Sequence, residues 1–170
     1  LFIPGVKAGD IYKYELKLKG NRIELKSDPY AACTEVPPAN ASVVADTSVF
    51  QWEDETWMKE RKKFSDRKQP ISIYETSLTE WKDAAELADF VKKLNYTHVE
   101  LHPVMEYLDD EAGEYSTFAY YAPTRRFGTP EDFQKVVNEL HKAGIGLILD
   151  WTPSHFPRVE GGLELFDGTP

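Results

Sequence analysis

The sequence predicts an α+β chain in which a β-sheet module precedes a parallel sheet with helical crossovers. Two observations support this prediction. Residues 1–65 contain short runs in which apolar and polar residues alternate, a pattern typical of half-buried antiparallel strands. From Pro70 onward, strand and helix patterns follow each other in turn, and a connection between parallel strands needs such a helix.

The N-terminal part is predicted to form a β-hairpin. Residues 11–18 alternate apolar with polar, Gly20-Asn21 supplies a turn, and residues 22–26 alternate again. Leu1-Phe2-Ile3 is already strand-like and no initiating methionine precedes it, so we expect the chain to open inside a β module. Charged side chains dominate residues 52–64, which we interpret as a solvated connector.

The elements after Pro70 are predicted to be three strands that alternate with two helices. The strands are expected at 71–75, 97–103 and 145–150, and the first helix at 84–94. Thr129 is expected to cap the second helix, which ends at Gly144.

An eight-unit barrel spans ~250 residues, so the stretch after Pro70 corresponds to about three βα units. So few helices would cover a parallel sheet poorly, because such sheets are apolar on both faces. We therefore expect this chain to be part of a longer enzyme.

The net charge and the cysteine content limit the classes of partner and the cellular location that we expect. The formal net charge is −9, which disfavours nucleic acid because phosphate binding needs clustered Lys and Arg. Cys33 is the only cysteine, so we expect no internal disulfide and a cytoplasmic location. The first residues lack a signal-peptide pattern, and no apolar run approaches ~18 residues, so we expect no membrane partner.

The residues most suggestive of chemistry lie at the end of the third predicted strand. Residues 147–149 form an apolar run that stops on Asp150, and His155 follows five residues later. In α/β barrels the carboxyl ends of the strands face the active site, so both are candidates for a sugar or phosphate pocket. Two structural alternatives stay open, since Asp150 could cap nearby backbone amides and His155 could be satisfied within a loop.

Four separated motifs, taken with the N-terminal strands, carry a family resemblance. They are residues 70–75, 97–106, 121–133 and 149–157. Together they resemble the 1,4-α-glucan (glycogen) branching enzymes of glycoside hydrolase family 13, the α-amylase family. Residues 1–30 resemble the family 48 carbohydrate-binding module that precedes the barrel in those enzymes. The resemblance implies the C-terminal part of a β-sandwich module with a linker over 1–68, and the first three βα units of a TIM (β/α)8 barrel over 69–170.

The resemblance also implies site residues. The family's motif histidine, here His155, hydrogen-bonds the sugar at the cleavage point, and Asp150 supports the site. Tyr115 lies where the family places a tyrosine that stacks on the same sugar. Its neighbours Glu114 and Ser116 replace the usual glycine and glutamine, which alters the local contacts. These residue types suit a sugar, because an imidazole can donate and accept while an aromatic face packs on C–H groups.

Neither a metal nor another cofactor is expected. Several α-amylases bind calcium through an asparagine just before the motif histidine, and this chain has Ser154 there, which is a poorer calcium ligand. His98, His102 and His141 lack the spacing of zinc ligands.

Other polar residues are expected to serve structure. Glu75 and Glu100 lie in predicted strands, where each could pair with a Lys or Arg. Arg125 and Arg126 are expected to fix loops through carboxylate pairs rather than to contact sugar.

The resemblance implies retaining transfer with two carboxyl groups, one as nucleophile and one as acid/base. The family supplies them from the fourth and fifth barrel strands, beyond Pro170, so no catalytic residue is expected in this chain, and the piece alone is predicted to be inactive. The implied partner is an α-glucan such as glycogen or amylose.

Two alternatives remain. The chain could be a non-catalytic glucan-binding piece whose N-terminal β module holds glucan. Five aromatics could then supply stacking surface or could instead serve core and interdomain packing, namely Tyr12, Tyr14, Tyr30, Trp52 and Trp57. The chain could instead belong to a trehalose-releasing hydrolase of the same family, but Trp151, Pro153 and Ser154 differ from the usual motif of those hydrolases and favour branching.

Overall fold

The computed structural model describes residues 3–65, 69–153 and 156–169. The chain divides into two compact units. The first unit comprises Leu1–Ser48, Val104–Pro130 and Thr152–Pro170, and the second comprises Val49–Pro103 and Glu131–Trp151. Within the described ranges, no helix has the length and apolar character needed to cross a membrane.

The second unit is built around three parallel strands with two crossover helices. Its elements are α1 (Glu55–Glu60), α2 (Lys62–Ser65), β5 (Ile73–Thr76), α3 (Ala84–Lys93), β6 (His98–Leu101), α4 (Pro130–Lys142) and β9 (Gly146–Leu149), of which only Pro130 falls in the first unit. The strand order is β5-β6-β9, and both pairings are parallel. The predicted parallel arrangement of these three strands is confirmed.

Local sequence signals set the helix ends of this unit. The Asp83 side chain accepts a hydrogen bond from the Glu86 amide (2.9 Å) and so caps α3. One face of α3 is buried through Leu87 and Val91, which are 0 % exposed. The helix α4 begins at Pro130, as predicted, and the chain leaves it through Gly144 at φ 81°, a left-handed conformation that glycine adopts without strain.

The predicted solvated connector is instead partly helical and partly buried. The charged residues of α1 face solvent, but Trp57 is only 8 % exposed. Its ring stacks on His141 of α4, with centroids 5.2 Å apart and an interplanar angle of 26°. The interpretation of this stretch as a solvated connector is wrong at Trp57, because a large aromatic ring is stabilised by burial while its charged neighbours stay in solvent.

The first unit contains three antiparallel strand pairs. Its strands are β1 (Ile11–Tyr12), β2 (Tyr14–Lys17), β3 (Ile23–Lys26), β4 (Ser42–Val43), β7 (Met105–Tyr107) and β8 (Thr117–Pro123). The β2–β3 hairpin confirms the prediction, and its turn contains Gly20 at φ 81° and Asn21 at φ 60°. The prediction of one strand over 11–18 is wrong at Lys13, because β1 pairs with β4 while β2 pairs with β3.

The stretch between β6 and α4, which lacks a clear periodic pattern, also forms a hairpin. Strands β7 and β8 pair antiparallel with an irregular register. Phe118, Ala119 and Ala122 of β8 are buried in one apolar cluster, against which Leu108 and Val159 pack. The structure therefore contains a hairpin where the sequence analysis predicts neither strand nor helix, and the β8 side chains supply part of the core of the first unit.

Candidate active site

The carboxyl edge of the parallel sheet carries the first predicted site residue. Asp150 directly follows β9, and its backbone N–H donates to the carbonyl of Leu101 at the end of β6 (3.0 Å). On the neighbouring strand, His102 Nε2 lies 3.4 Å from Glu75 Oε1. The sheet thus places a carboxylate and a histidine–carboxylate pair at the edge where parallel-sheet proteins bind ligands.

The carboxylate of Asp150 has no hydrogen-bond partner in the part of the chain that the structure describes. The alternative in which Asp150 caps nearby backbone amides therefore finds no support among those residues. A half-buried carboxylate without such a partner can accept hydrogen bonds from hydroxyl groups of a ligand.

The predicted histidine His155 lies outside the described residues, as does Ser154. The chain on either side of them is anchored in the first unit. The hydroxyl of Tyr120 donates to the Thr152 carbonyl (3.3 Å), and the Tyr120 ring meets the Phe156 ring edge to face, with centroids 5.7 Å apart. Strand β8 therefore positions the ends of the segment that carries His155.

Tyr115 lies in the loop that joins β7 to β8, and it is 47 % exposed. Two backbone bonds shape this loop: Gly113 N–H donates to Asp109 O (3.1 Å), and Ser116 N–H donates to Gly113 O (3.0 Å). An exposed aromatic ring on a turn with internal bonds can stack on a sugar. Tyr115 belongs to the first unit and Asp150 to the second, so a shared role stays a prediction.

A residue without an assigned role, Glu106, holds this loop in place. Its side chain is 0 % exposed. Five donors surround the carboxylate: Thr34 Oγ1 (3.1 Å), Tyr107 N (3.1 Å), Thr124 Oγ1 (2.8 Å), Arg125 N (2.8 Å) and Arg126 Nη1 (3.0 Å). A buried carboxylate costs little only when it is paired and fully hydrogen-bonded, which is the case here.

Arg126 extends the Glu106 network to the loop that carries Tyr115. Its guanidinium bridges Glu106 (3.0 Å) and Asp110 (2.5 Å), and it lies 3.8 Å from the centroid of the Tyr107 ring. The prediction that Arg126 fixes a loop through carboxylates is confirmed. Arg125 also fixes a loop, but its side chain donates to the Gly128 carbonyl (2.8 Å) rather than to a carboxylate.

The sequence offered one weak signal for Glu106. An acid stands alone in the apolar stretch 103–107, and two arginines follow about twenty residues later. The distance in sequence hides the pairing, since only the β7–β8 hairpin brings the two ends together.

The side chains of the described residues were compared with the requirements of a metal site. Among residues 3–65, 69–153 and 156–169, no group of three or more His, Cys, Asp and Glu side chains could hold a metal ion.

Comparison with known proteins gives consistent matches. The sequence model of the protein family described as alpha amylase, catalytic domain, matches residues 49–160. A 1,4-α-glucan branching enzyme GlgB from Cellvibrio japonicus is 43 % identical over 99 % of the chain, and a second from Kitasatospora aureofaciens is 45 % identical over all of it. The chain spans about a quarter of the length of these relatives, 25 % and 23 %.

Solved structures share the fold at lower identity. A Salmonella typhimurium protein whose name assigns it to the α-amylases superposes with a TM-score of 0.71 at 22 % identity, over 92 % of this chain and 26 % of that one. The GBS pullulanase SAP, solved in complex with maltotetraose, superposes with a TM-score of 0.58 at 20 % identity, over 82 % and 24 %. With residues 49–160 matched by the catalytic-domain model, the chain belongs to the α-amylase family.

Proposed function

We propose that the protein carrying this chain is a 1,4-α-glucan branching enzyme that acts on an α-glucan such as glycogen or amylose. The observation that carries the proposal is the 43–45 % identity to branching enzymes over 99–100 % of the chain. A net charge of −9 also suits a neutral polysaccharide better than a nucleic acid. The cytoplasmic location stays a prediction from the cysteine content.

The fold proposal follows from the strand order. Residues 69–170 would supply the first three βα units of a (β/α)8 barrel, which the parallel order β5-β6-β9 with crossovers through α3 and α4 supports. Residues 1–68 would be the C-terminal part of a β-sandwich module with a linker, which the two short antiparallel pairs in the first unit support.

The proposed chemistry is retaining transfer between glucan chains. A carboxylate attacks the anomeric carbon, the α-1,4 bond breaks, and a carboxylic acid protonates the departing oxygen. The 6-hydroxyl of another glucan then displaces the enzyme carboxylate and gives up its proton to the acid/base residue, which forms the α-1,6 branch. We assign neither carboxyl group to these 170 residues.

The residues of this chain would hold the sugar at the cleavage point. Asp150 would accept hydrogen bonds from sugar hydroxyls at the carboxyl edge of the sheet, His155 would bond the same sugar, and Tyr115 would stack on it. The half-buried carboxylate of Asp150 and the exposed ring of Tyr115 support these roles.

The test is an assay of the intact protein on amylose. Branching should lower the absorbance of the iodine complex and create α-1,6 linkages detectable by proton NMR, without a rise in reducing ends. The 170-residue chain alone should leave the iodine absorbance unchanged. Release of reducing ends or of trehalose by the intact protein would favour a hydrolase of the same family instead.

A further inference from the structure

Residues of the N-terminal strands hold the stretch of chain that begins three residues after His155. This stretch, residues 158–165, contains neither helix nor strand, so its carbonyl groups have no partners from regular structure. Three donors from residues 26–40 bind them. The three bonds run from Ser27 N to Gly161 O (2.9 Å), from Asn40 Nδ2 to Glu160 O (2.6 Å) and from Lys26 Nζ to Glu164 O (3.2 Å).

Lys26 is a buried cation whose pairing depends on this stretch. It is only 6 % exposed. Its ammonium lies 3.3 Å from Glu24 Oε2, a carboxylate shared with Arg22, and it donates to the Glu164 carbonyl. A buried ammonium is stable only where it is paired and hydrogen-bonded, so displacement of residues 158–165 would leave this charge short of a partner. The carboxylates of Glu24, Glu160 and Glu164 line the same cleft, which disfavours an anionic ligand as the function of Lys26.

Asn40 provides the second anchor. Its side-chain amide donates to the Glu160 carbonyl, and its Oδ1 atom accepts from Lys13 Nζ (2.5 Å). The Ser27 hydroxyl donates to the Asn40 carbonyl, and Ser27 is 2 % exposed. The Asn40 side chain is therefore fixed on both sides before it reaches residues 158–165.

Strand β8 holds the same part of the chain from another direction. The Tyr120 hydroxyl donates to the Thr152 carbonyl (3.3 Å), its ring meets the Phe156 ring, and Val159 packs against the buried β8 cluster. His155 lies outside the described residues, but the chain before it and the chain after it both have defined anchors.

We propose that Lys26 and Asn40 are positioning residues for the reaction, which act by holding residues 158–165 and, through them, the placement of His155. The inference rests on the proposed function, which gives His155 a hydrogen bond to the sugar at the cleavage point. Such a group must be held within about 0.5 Å of its productive position. Loss of an anchor should therefore lower the rate of the chemical step more than it weakens glucan binding.

Steady-state branching of amylose by the intact protein tests the proposal. Lys26→Met keeps an unbranched side chain but removes the ammonium, and Asn40→Asp keeps the acceptor for Lys13 but removes the donor to Glu160. Each should lower kcat roughly fivefold to tenfold and leave KM within about twofold of the parent value. Lys19→Met is the matched control, because Lys19 is exposed in the turn of the same hairpin, and it should keep the parent kcat. Parent kcat values in both anchor variants would overturn the proposal.

A double-mutant cycle separates positioning from a general loss of structure. In a His155→Ala background, Lys26→Met should lower kcat no further, because its effect passes through His155. Hydrogen exchange of the backbone amides should rise within residues 158–165 in both anchor variants and stay at the parent level in β5, β6 and β9. Losses that multiply in the cycle, or unchanged exchange in residues 158–165, would refute the positioning role.

The parent protein in the same assay separates this inference from the proposed function. A parent that releases reducing ends without forming α-1,6 linkages would refute the proposed function alone, and the ratio of variant to parent rates would then be measured on reducing ends. A parent that branches amylose, with equal kcat in Lys26→Met, Asn40→Asp and Lys19→Met, would refute the positioning role alone. A parent that is inert on amylose would refute both.

Discussion

The parallel sheet of the second unit and the β7–β8 hairpin of the first are stabilised by different interactions. Strand β6 is buried through Val99 and Leu101, both 0 % exposed, and aromatic rings pack on the same sheet. The hairpin has an apolar cluster as well, but its ends converge on one buried carboxylate, Glu106, with five donors. An apolar cluster loses little stability when a few contacts are removed, whereas a buried charge becomes unfavourable when it loses a hydrogen-bond partner.

The largest expected effect comes from removing that carboxylate. Glu106→Ala removes the shared acceptor of five buried or partly buried donors, so we expect the free energy of unfolding of the whole chain to fall by about 3–5 kcal/mol. Urea denaturation followed by tryptophan fluorescence measures the loss. Glu106→Gln keeps the size of the side chain but loses the charge that faces Arg126, so it should cost about half as much. A loss below about 1 kcal/mol in Glu106→Ala would contradict the role of this network.

Removing apolar packing from the sheet should cost slightly less. Leu101→Ala opens a cavity at a position that is 0 % exposed, and we expect a loss of about 3 kcal/mol in the same denaturation experiment. Leu149 is the register partner of Leu101 on β9, yet it is 42 % exposed. Leu149→Ala should therefore cost under about 1 kcal/mol, and equal losses at the two positions would show that the burial pattern of the sheet is misassigned.

A smaller effect tests the close approach between β9 and β6. A Cβ atom on Gly146 would collide with the His98 ring and lie 3.1 Å from the Trp57 ring. Gly146→Ala should therefore lower the free energy of unfolding by about 1–3 kcal/mol. His98→Ala in the same chain should relieve most of the clash, so a double-mutant cycle should give a favourable coupling energy. Additive losses would exclude direct contact between the two positions.

The smallest effect is a pH dependence from the same histidine. Burial lowers the pKa of His98, while the unfolded chain keeps the ordinary value of about 6.5. The unfolded state therefore binds the proton first as the pH falls, and stability is lost on acidification through and below about pH 6.5. His98→Gln should flatten this part of the curve of unfolding free energy against pH.

Periodicity predicted the elements whose packing is apolar and local. The hairpin at β2–β3, the helix α3 and the three parallel strands all carry repeating patterns. The helix α1 and the β7–β8 hairpin were missed, because neither has a clear periodic pattern and each depends on distant partners. Trp57 needs His141, and Glu106 needs Thr34 and Arg126.

The candidate site was predicted only in part, because only Asp150 follows from a local pattern in the sequence. Asp150 follows directly from a strand that ends on an acid, and the sheet places it at the carboxyl edge. His155 and the sugar-contact role of Tyr115 come from the family resemblance and stay predictions. The contact between the Tyr30 and Tyr121 rings could not be foreseen, because the two residues lie in different segments, and neither lies in a pattern that specifies stacking.

The amino-acid sequence alone determined the parallel arrangement of the second unit, the approximate ends of α3 and α4 and the family, since these depend on short-range patterns and motifs. Only the tertiary structure decided which polar groups and rings come into contact. These are the five donors around Glu106, the pair of Asp54 Oδ2 and His141 Nδ1 at 2.7 Å, and the stacked rings of Tyr30 and Tyr121. The physical reason is that hydrophobic burial is non-directional and leaves a periodic trace along the chain, whereas hydrogen bonds and ring stacking depend on the positions of individual atoms from distant segments.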